Sequence, residues 1–153
     1  DGVSVRTLSA AGDTLDEGWG ASAAVVAGLL ADVQANASSN VAGALATYTF
    51  TFTTANEVRD FGMVRIQVPP GSLLYGAGVA CETSVDSGNV TITGNRTLTV
   101  VLSENGVSAG AAVWVMCTGL ATQPWSGTAT YVVSTLSNAG AVIDSGYAVM
   151  AVE

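Results

Sequence analysis

The groups able to do chemistry in this chain are almost all carboxylates. Its 153 residues carry 12 acidic groups, 4 basic groups and no His, a net charge of −8. The basic residues are all arginines, Arg6, Arg59, Arg65 and Arg96. There is therefore no Lys for a Schiff base and no imidazole for proton shuttling or metal ligation. Hydroxyls abound, but only carboxylates could activate them, and no nucleophile elbow, phosphate-binding glycine loop or Cys-His pair is present. Two carboxylates suffice to hydrolyse a glycosidic bond. The spacing of Glu57, Asp60, Glu82, Asp86 and Glu104 specifies no such pair, so the chain reads as a non-enzyme that needs no cofactor.

Metal binding is restricted to hard cations on oxygen. Asp13, Asp16 and Glu17 cluster in a Gly-flanked segment, with Asp1 or Asp32 as further ligands, and form a Ca²⁺ candidate without the ordered spacing of an EF-hand loop. A solvated acidic linker is the simpler reading. Net negative charge without a basic cluster argues against nucleic acid and anionic lipid surfaces. Membrane insertion is not expected either: the best apolar run, residues 21–31, is interrupted by Ser22 and Gly28 and falls short of the ~18 residues of a span.

Three further groups concern partners rather than catalysis. Cys81 and Cys117 are the only cysteines. They are read as a disulfide rather than two buried thiols, because the other signs are extracellular and closing such a loop stabilises by ~3 to 4 kcal/mol. Asn36, Asn89 and Asn95 each begin an Asn-X-Ser/Thr glycosylation pattern. Threonine rows (Thr47, Thr49, Thr51 and Thr53 on one strand) and the tryptophans Trp19 and Trp125 offer surfaces for glycans; Trp114 reads as buried in its strand, and Thr is also simply a good residue for the wet face of a sheet.

The elements that must position these groups are strands. From Leu45 to Thr54, Ala46, Tyr48, Phe50 and Phe52 alternate with Leu45 and threonines, the period of a half-buried strand. Val64, Ile66 and Val68 repeat the pattern from Met63 until Pro69-Pro70-Gly71 stops it. Residues 55–62 between them are long enough for a helical turn or a crossover to another sheet. Residues 71–88 read as a loose stretch, and residues 89–102 as a hairpin turning at Gly94-Asn95. Residues 111–118, 128–135 and 147–152 supply three more strands, and residues 22–34 an ambiguous one. Short strands, Gly-rich turns and no amphipathic helical repeat predict an all-β, antiparallel two-sheet sandwich.

Residues 28–146, about three quarters of the chain, resemble immunoglobulin-like β-sandwich repeats of large extracellular and cell-surface proteins of protists, microalgae and bacteria. The resemblance lies in the ordered set of residues 41–54, 62–71, 107–111 leading into the Cys117 strand, and 134–146. It implies an extracellular or cell-surface location and a spacer or adhesive role, with no catalytic residues to carry over.

The added ends suggest how such a module is used. Residues 1–20 read as an extended N-terminal arm, the alternating strand Gly2–Leu8 followed by an acidic linker, and residues 21–153 as the sandwich domain. Charged residues make up only 10% of the chain, against ~25% in typical soluble proteins, so little repulsion keeps sheet edges apart. These features predict a structural subunit of an extracellular filament, sheath or repetitive surface assembly. Its copies would join by strand addition through Val3, Val5 and Leu8 at one end and Tyr147, Val149 and Val152 at the other. The alternatives are ends that complete the domain's own sheets, and a monomeric adhesin or glycan-binding module.

Overall fold

The computed structural model describes residues 2–8, 14–21, 27–72, 78–85, 87–93, 96–102 and 105–153. Every regular element among them is a strand: β1 (Gly2–Leu8), β2 (Thr14–Ala21), β3 (Gly28–Leu29), β4 (Ala31–Ala37), β5 (Leu45–Thr53), β6 (Met63–Gln67), β7 (Ala80–Thr83), β8 (Ser87–Thr93), β9 (Thr97–Leu102), β10 (Ala112–Ala121), β11 (Gly127–Leu136) and β12 (Val142–Val152). They form a two-stranded sheet β1-β2, a four-stranded sheet β4-β5-β10-β7 and a six-stranded sheet β3-β12-β11-β6-β9-β8. All neighbours are antiparallel except β3 and β12, which run parallel.

The period-two pattern sets which side chains meet between the two larger sheets. Tyr48, Phe50 and Phe52 of β5 and Val113, Val115 and Cys117 of β10 are buried on one side; Val64, Ile66, Leu98, Val100, Tyr131 and Val133 answer from the other. Tyr131 sits at the centre, its ring 5.5 Å from Phe50 and 5.6 Å from Tyr48. Fully burying one such aliphatic or aromatic side chain contributes roughly 1.5 to 3 kcal/mol, so these alternating residues hold the two layers together. In β10 the alternation survives a register shift between Cys117 and Leu120 because Gly119 takes a φ of +77° there; a Cβ at that position would meet the Gly78 carbonyl. Leu120 thereby returns to the core.

The structure amends several expectations. The segment expected to be an acidic linker contains β2, which pairs with β1 along its length, so the arm is a hairpin. The stretch 71–88 contains β7, whose period-two burial is too short to stand out between glycines. Within residues 22–34, positions 22–26 lie outside the described residues and the remainder is split between β3 and β4, which belong to different sheets. Residues 54–62 make the crossover between sheets, steadied by paired main-chain bonds between Val58 and Val107.

One buried carboxylate ties this crossover to the last strand. Asp144 of β12 is fully buried, and its Oδ2 accepts the Ala55 and Asn56 N–H groups at 3.1 Å each while its Oδ1 accepts Asn56 Nδ2 at 2.7 Å. Its own N–H donates to Thr135 Oγ1 at 3.1 Å. Gly28 packs against it so closely that a Cβ would collide with Oδ1 and with the Asn56 amide. Every donor aimed at Asp144 is orphaned if the carboxylate is removed.

Replacing Asp144 with Ala is therefore expected to lower unfolding free energy by about 3 kcal/mol or more, with Gly28→Ala destabilising in the same direction, both read from denaturant midpoints. Reducing the Cys81–Cys117 disulfide, which closes a separation of 36 residues, is expected to cost about 3 to 4 kcal/mol in the same assay. The Tyr48 and Tyr131 hydroxyls are buried with no hydrogen-bond partner among the described residues. Burial pushes both phenols above their ordinary range, and at Tyr131 the neighbouring Tyr48 adds to the rise. A phenol raised in the folded state favours folding fully below its unfolded value near ~10, and that contribution is lost as pH rises above it. Stability should thus fall with pH in the alkaline range, and Tyr131→Phe should flatten the fall with little loss at neutral pH.

Candidate functional site

An open sheet leaves unpaired main-chain groups along its outer strands, where another strand can add. In the four-stranded sheet, β7 is four residues long and is stapled to its neighbour: Cys117 stands directly opposite Cys81, and the two are joined, as expected from their context. The other edge, β4, carries a bulge between Ala31 and Gln34 where Asp32 takes a left-handed φ of +51°. In the six-stranded sheet, β8 is bulged between Ser87 and Val90. These are familiar ways of blunting an edge.

The remaining edge is different. β3 pairs with β12 only at Asp144 and Ser145, and beyond that point β12 continues for seven residues with a regular register to β11. Ser145 accepts a hydrogen bond from Leu30 N–H on the side away from β11, and Glu153 bonds Asn40 and Ala42 on that same side. Strand alternation then turns the N–H and C=O groups of Tyr147, Val149 and Ala151 outward between these two clamps. None of the three has a further main-chain partner among the described residues. Their window, residues 147–151, is about 17 Å long at the usual rise per residue. Side chains follow the same parity: Tyr147 is 68% and Val149 63% exposed, while Ala148 and Val152 face the core. Val152, expected among the assembly residues, is 3% exposed and packs inside the sandwich, because it falls on the even, inward set.

At the other end of the chain, Val3, Val5 and Leu8 lie in β1 opposite Gly20, Gly18 and Thr14 of β2. The structure therefore does not leave β1 as a lone strand; it presents a hairpin whose two outer edges carry no ladder to either sandwich sheet among the described residues.

The other sequence candidates fall in separate places. Asp16 and Glu17 belong to strand β2, and Asp13 lies outside the described residues. Among the described residues no three His, Cys, Asp or Glu side chains converge as a metal site. Glu57 and Arg59 line a cleft of about 390 Å³ with Ser137, Asn138 and Ile143, whereas Glu82 is on β7 in the four-stranded sheet. Asn36 and Asn89 are exposed on the edge strands β4 and β8, accessible to modification; Asn95 lies outside the described residues.

Trp114 corrects a further expectation. The run Ala111 to Cys117 looks apolar throughout, yet it alternates: Val113, Val115 and Cys117 are buried, and Trp114 is 39% exposed on the outer face. The period was visible in the sequence once Trp and Met were allowed on a wet face. Trp125 is exposed over Gly71, and nothing is described of the Trp19 side chain. The sequence pointed to Tyr147 and Val149 through their apolar terminal strand, but the extent of the unpaired β12 window depends on where β3 stops pairing.

Neither a protein-family model nor a curated protein matches the sequence. In structure the chain is similar to BslA, a bacterial hydrophobin, with a TM-score of 0.56 and 16% identity over 84% of this chain and 97% of that one. It is also similar to the collagen-binding domain of a Staphylococcus aureus adhesin (TM-score 0.46, 6% identity, 79% of this chain and 96% of that one). A non-cellulosomal cohesin from Archaeoglobus fulgidus follows at TM-score 0.40 and 13% identity, over 78% of this chain and 91% of that one. Identities this low speak to fold alone, and the fold is an all-β, two-sheet sandwich.

Proposed function

We propose that the protein is a secreted or surface-displayed structural module whose copies join by strand addition at the β12 edge, building a filament, sheath or repetitive surface assembly. The observation that carries this reading is the window Tyr147–Ala151, where three residues direct six main-chain groups outward beside exposed Tyr147 and Val149. Each of the other sandwich edges is shortened, stapled or bulged. The disulfide supports an oxidising, extracellular setting.

The donor is the β1–β2 hairpin of a neighbouring copy, with β1 alongside β12. A two-stranded hairpin alone is at best marginally stable in water, and docking its edge on a sheet supplies the missing third strand. The seven residues of β1 are enough to span the five-residue window. Because donor and acceptor are different surfaces, the contact is heterologous, and it builds an open filament where the rotation between successive copies does not close a ring.

The test is negative-stain microscopy beside a sizing column. Val149 directs its N–H away from β11, so Val149→Pro removes a donor from the edge while sparing the ladder to β11. Val149→Pro and a chain lacking residues 1–21 are each expected to weaken association by at least about tenfold, with melting temperatures within a few degrees of the parent. Undiminished polymers from Val149→Pro would remove the β12 edge from consideration, and from the shortened chain would remove the hairpin as donor.

A further inference from the structure

The outer face of the four-stranded sheet carries a second surface, apart from the β12 edge. A shallow groove of about 240 Å³ runs across it, lined by Asp32, Gln34, Thr51, Thr53 and Trp114. Register places Gln34 of β4, Thr51 of β5 and Trp114 of β10 in one row, and Ala31, Thr53 and Ala112 in the next. The groove is thus a row of facing side chains on a hydrogen-bonded sheet rather than a gap between loops.

The strand that carries its aromatic wall is paired on both sides. Trp114 N–H donates to Ser84 Oγ at 3.0 Å, and its carbonyl accepts the Ser84 N–H at 3.0 Å, while β5 flanks its other side. At the opposite wall the β4 bulge sets two residues, Asp32 and Val33, against one of β5. Val33 packs on the core; Asp32 is left exposed at the groove with a φ of +51°, a conformation that a residue other than glycine seldom takes.

We infer that this groove binds a neutral oligosaccharide, with the exposed Trp114 ring as stacking platform and Asp32, Gln34, Thr51 and Thr53 as hydrogen-bonding partners for sugar hydroxyls. A half-exposed aromatic ring offers an apolar face to the C–H side of a sugar ring. Beside it stand a carboxylate that accepts, an amide that both donates and accepts, and two hydroxyls that do either, which suits a ligand bearing many hydroxyls. The lining includes no cation, and the chain carries a net charge of −8, so an acidic glycan or a nucleic acid is disfavoured. A second copy pressed face to face would oppose hydroxyls and acids, Asp32 and Glu82, to themselves. The groove is also too shallow to enclose an apolar small molecule.

The experiment is isothermal titration of the intact chain with cellohexaose, laminarihexaose and chitohexaose, with oligogalacturonate as anionic comparison. At least one neutral hexaose is expected to bind, with Trp114→Ala weakening it about tenfold or more, Trp114→Phe retaining part of the affinity and Trp125→Ala leaving it unchanged. Asp32→Asn is expected to weaken it severalfold. Thermal melts within a few degrees of the parent show that the variants fold. No heat from any neutral hexaose at millimolar concentration, binding that survives Trp114→Ala in a folded protein, or equal binding of oligogalacturonate would each overturn the assignment. None of these outcomes bears on the β12 edge, whose test is assembly.

Discussion

Main-chain pairing is the constraint from which the rest of this structure follows. A sandwich made of open sheets has outer strands with unpaired N–H and C=O groups, and water or another strand must satisfy them. Three of the four sandwich edges are made poor templates: β7 by brevity and a cross-strand disulfide, β4 by a bulge with a left-handed Asp32, and β8 by a bulge near its start. β3 covers the fourth for only two residues. The open β12 window is what remains when β3 leaves for the other sheet so early.

That departure has a local cause. Residues 30–33 pass across Gly146, where a Cβ would collide with Val33 Cγ2 and crowd the Leu30 side chain, so the chain switches sheets over a position without a side chain. One step earlier Gly28 lies against Asp144, and Asp144 gathers the Ala55 and Asn56 donors from the crossover. A buried charge is tolerable only when its oxygens are satisfied. Here it fixes the crossover, β3 and β12 relative to one another, and so it sets the point at which β12 becomes bare.

Alternation in residues 45–54, 63–69 and 97–102 made the fold class readable from sequence, because strands with one wet and one dry face announce their period. Less was readable where period and composition conflict. The acids and glycines of residues 14–21 masked β2, and the uniformly apolar look of residues 111–117 hid that Trp114 and Met116 face out. The disulfide was inferable from context; the direct opposition of Cys81 and Cys117 needed the register. The apolar terminal strand pointed to Tyr147, Val149 and Val152 together; the first two are exposed, but parity puts Val152 in the core. An edge belongs to a sheet as a whole, and no local pattern records which strand lacks a neighbour.

Edges and faces of a sheet can serve different partners without competition. The proposed strand addition would use outward N–H and C=O groups of the six-stranded sheet at β12, whereas the Trp114 groove is built from side chains standing off the four-stranded sheet. A polymer joined through β12 would repeat that groove at regular spacing along its length. If each groove took a sugar weakly, its repetition on such a polymer facing a polysaccharide would raise the effective concentration, and avidity would result without any new contact.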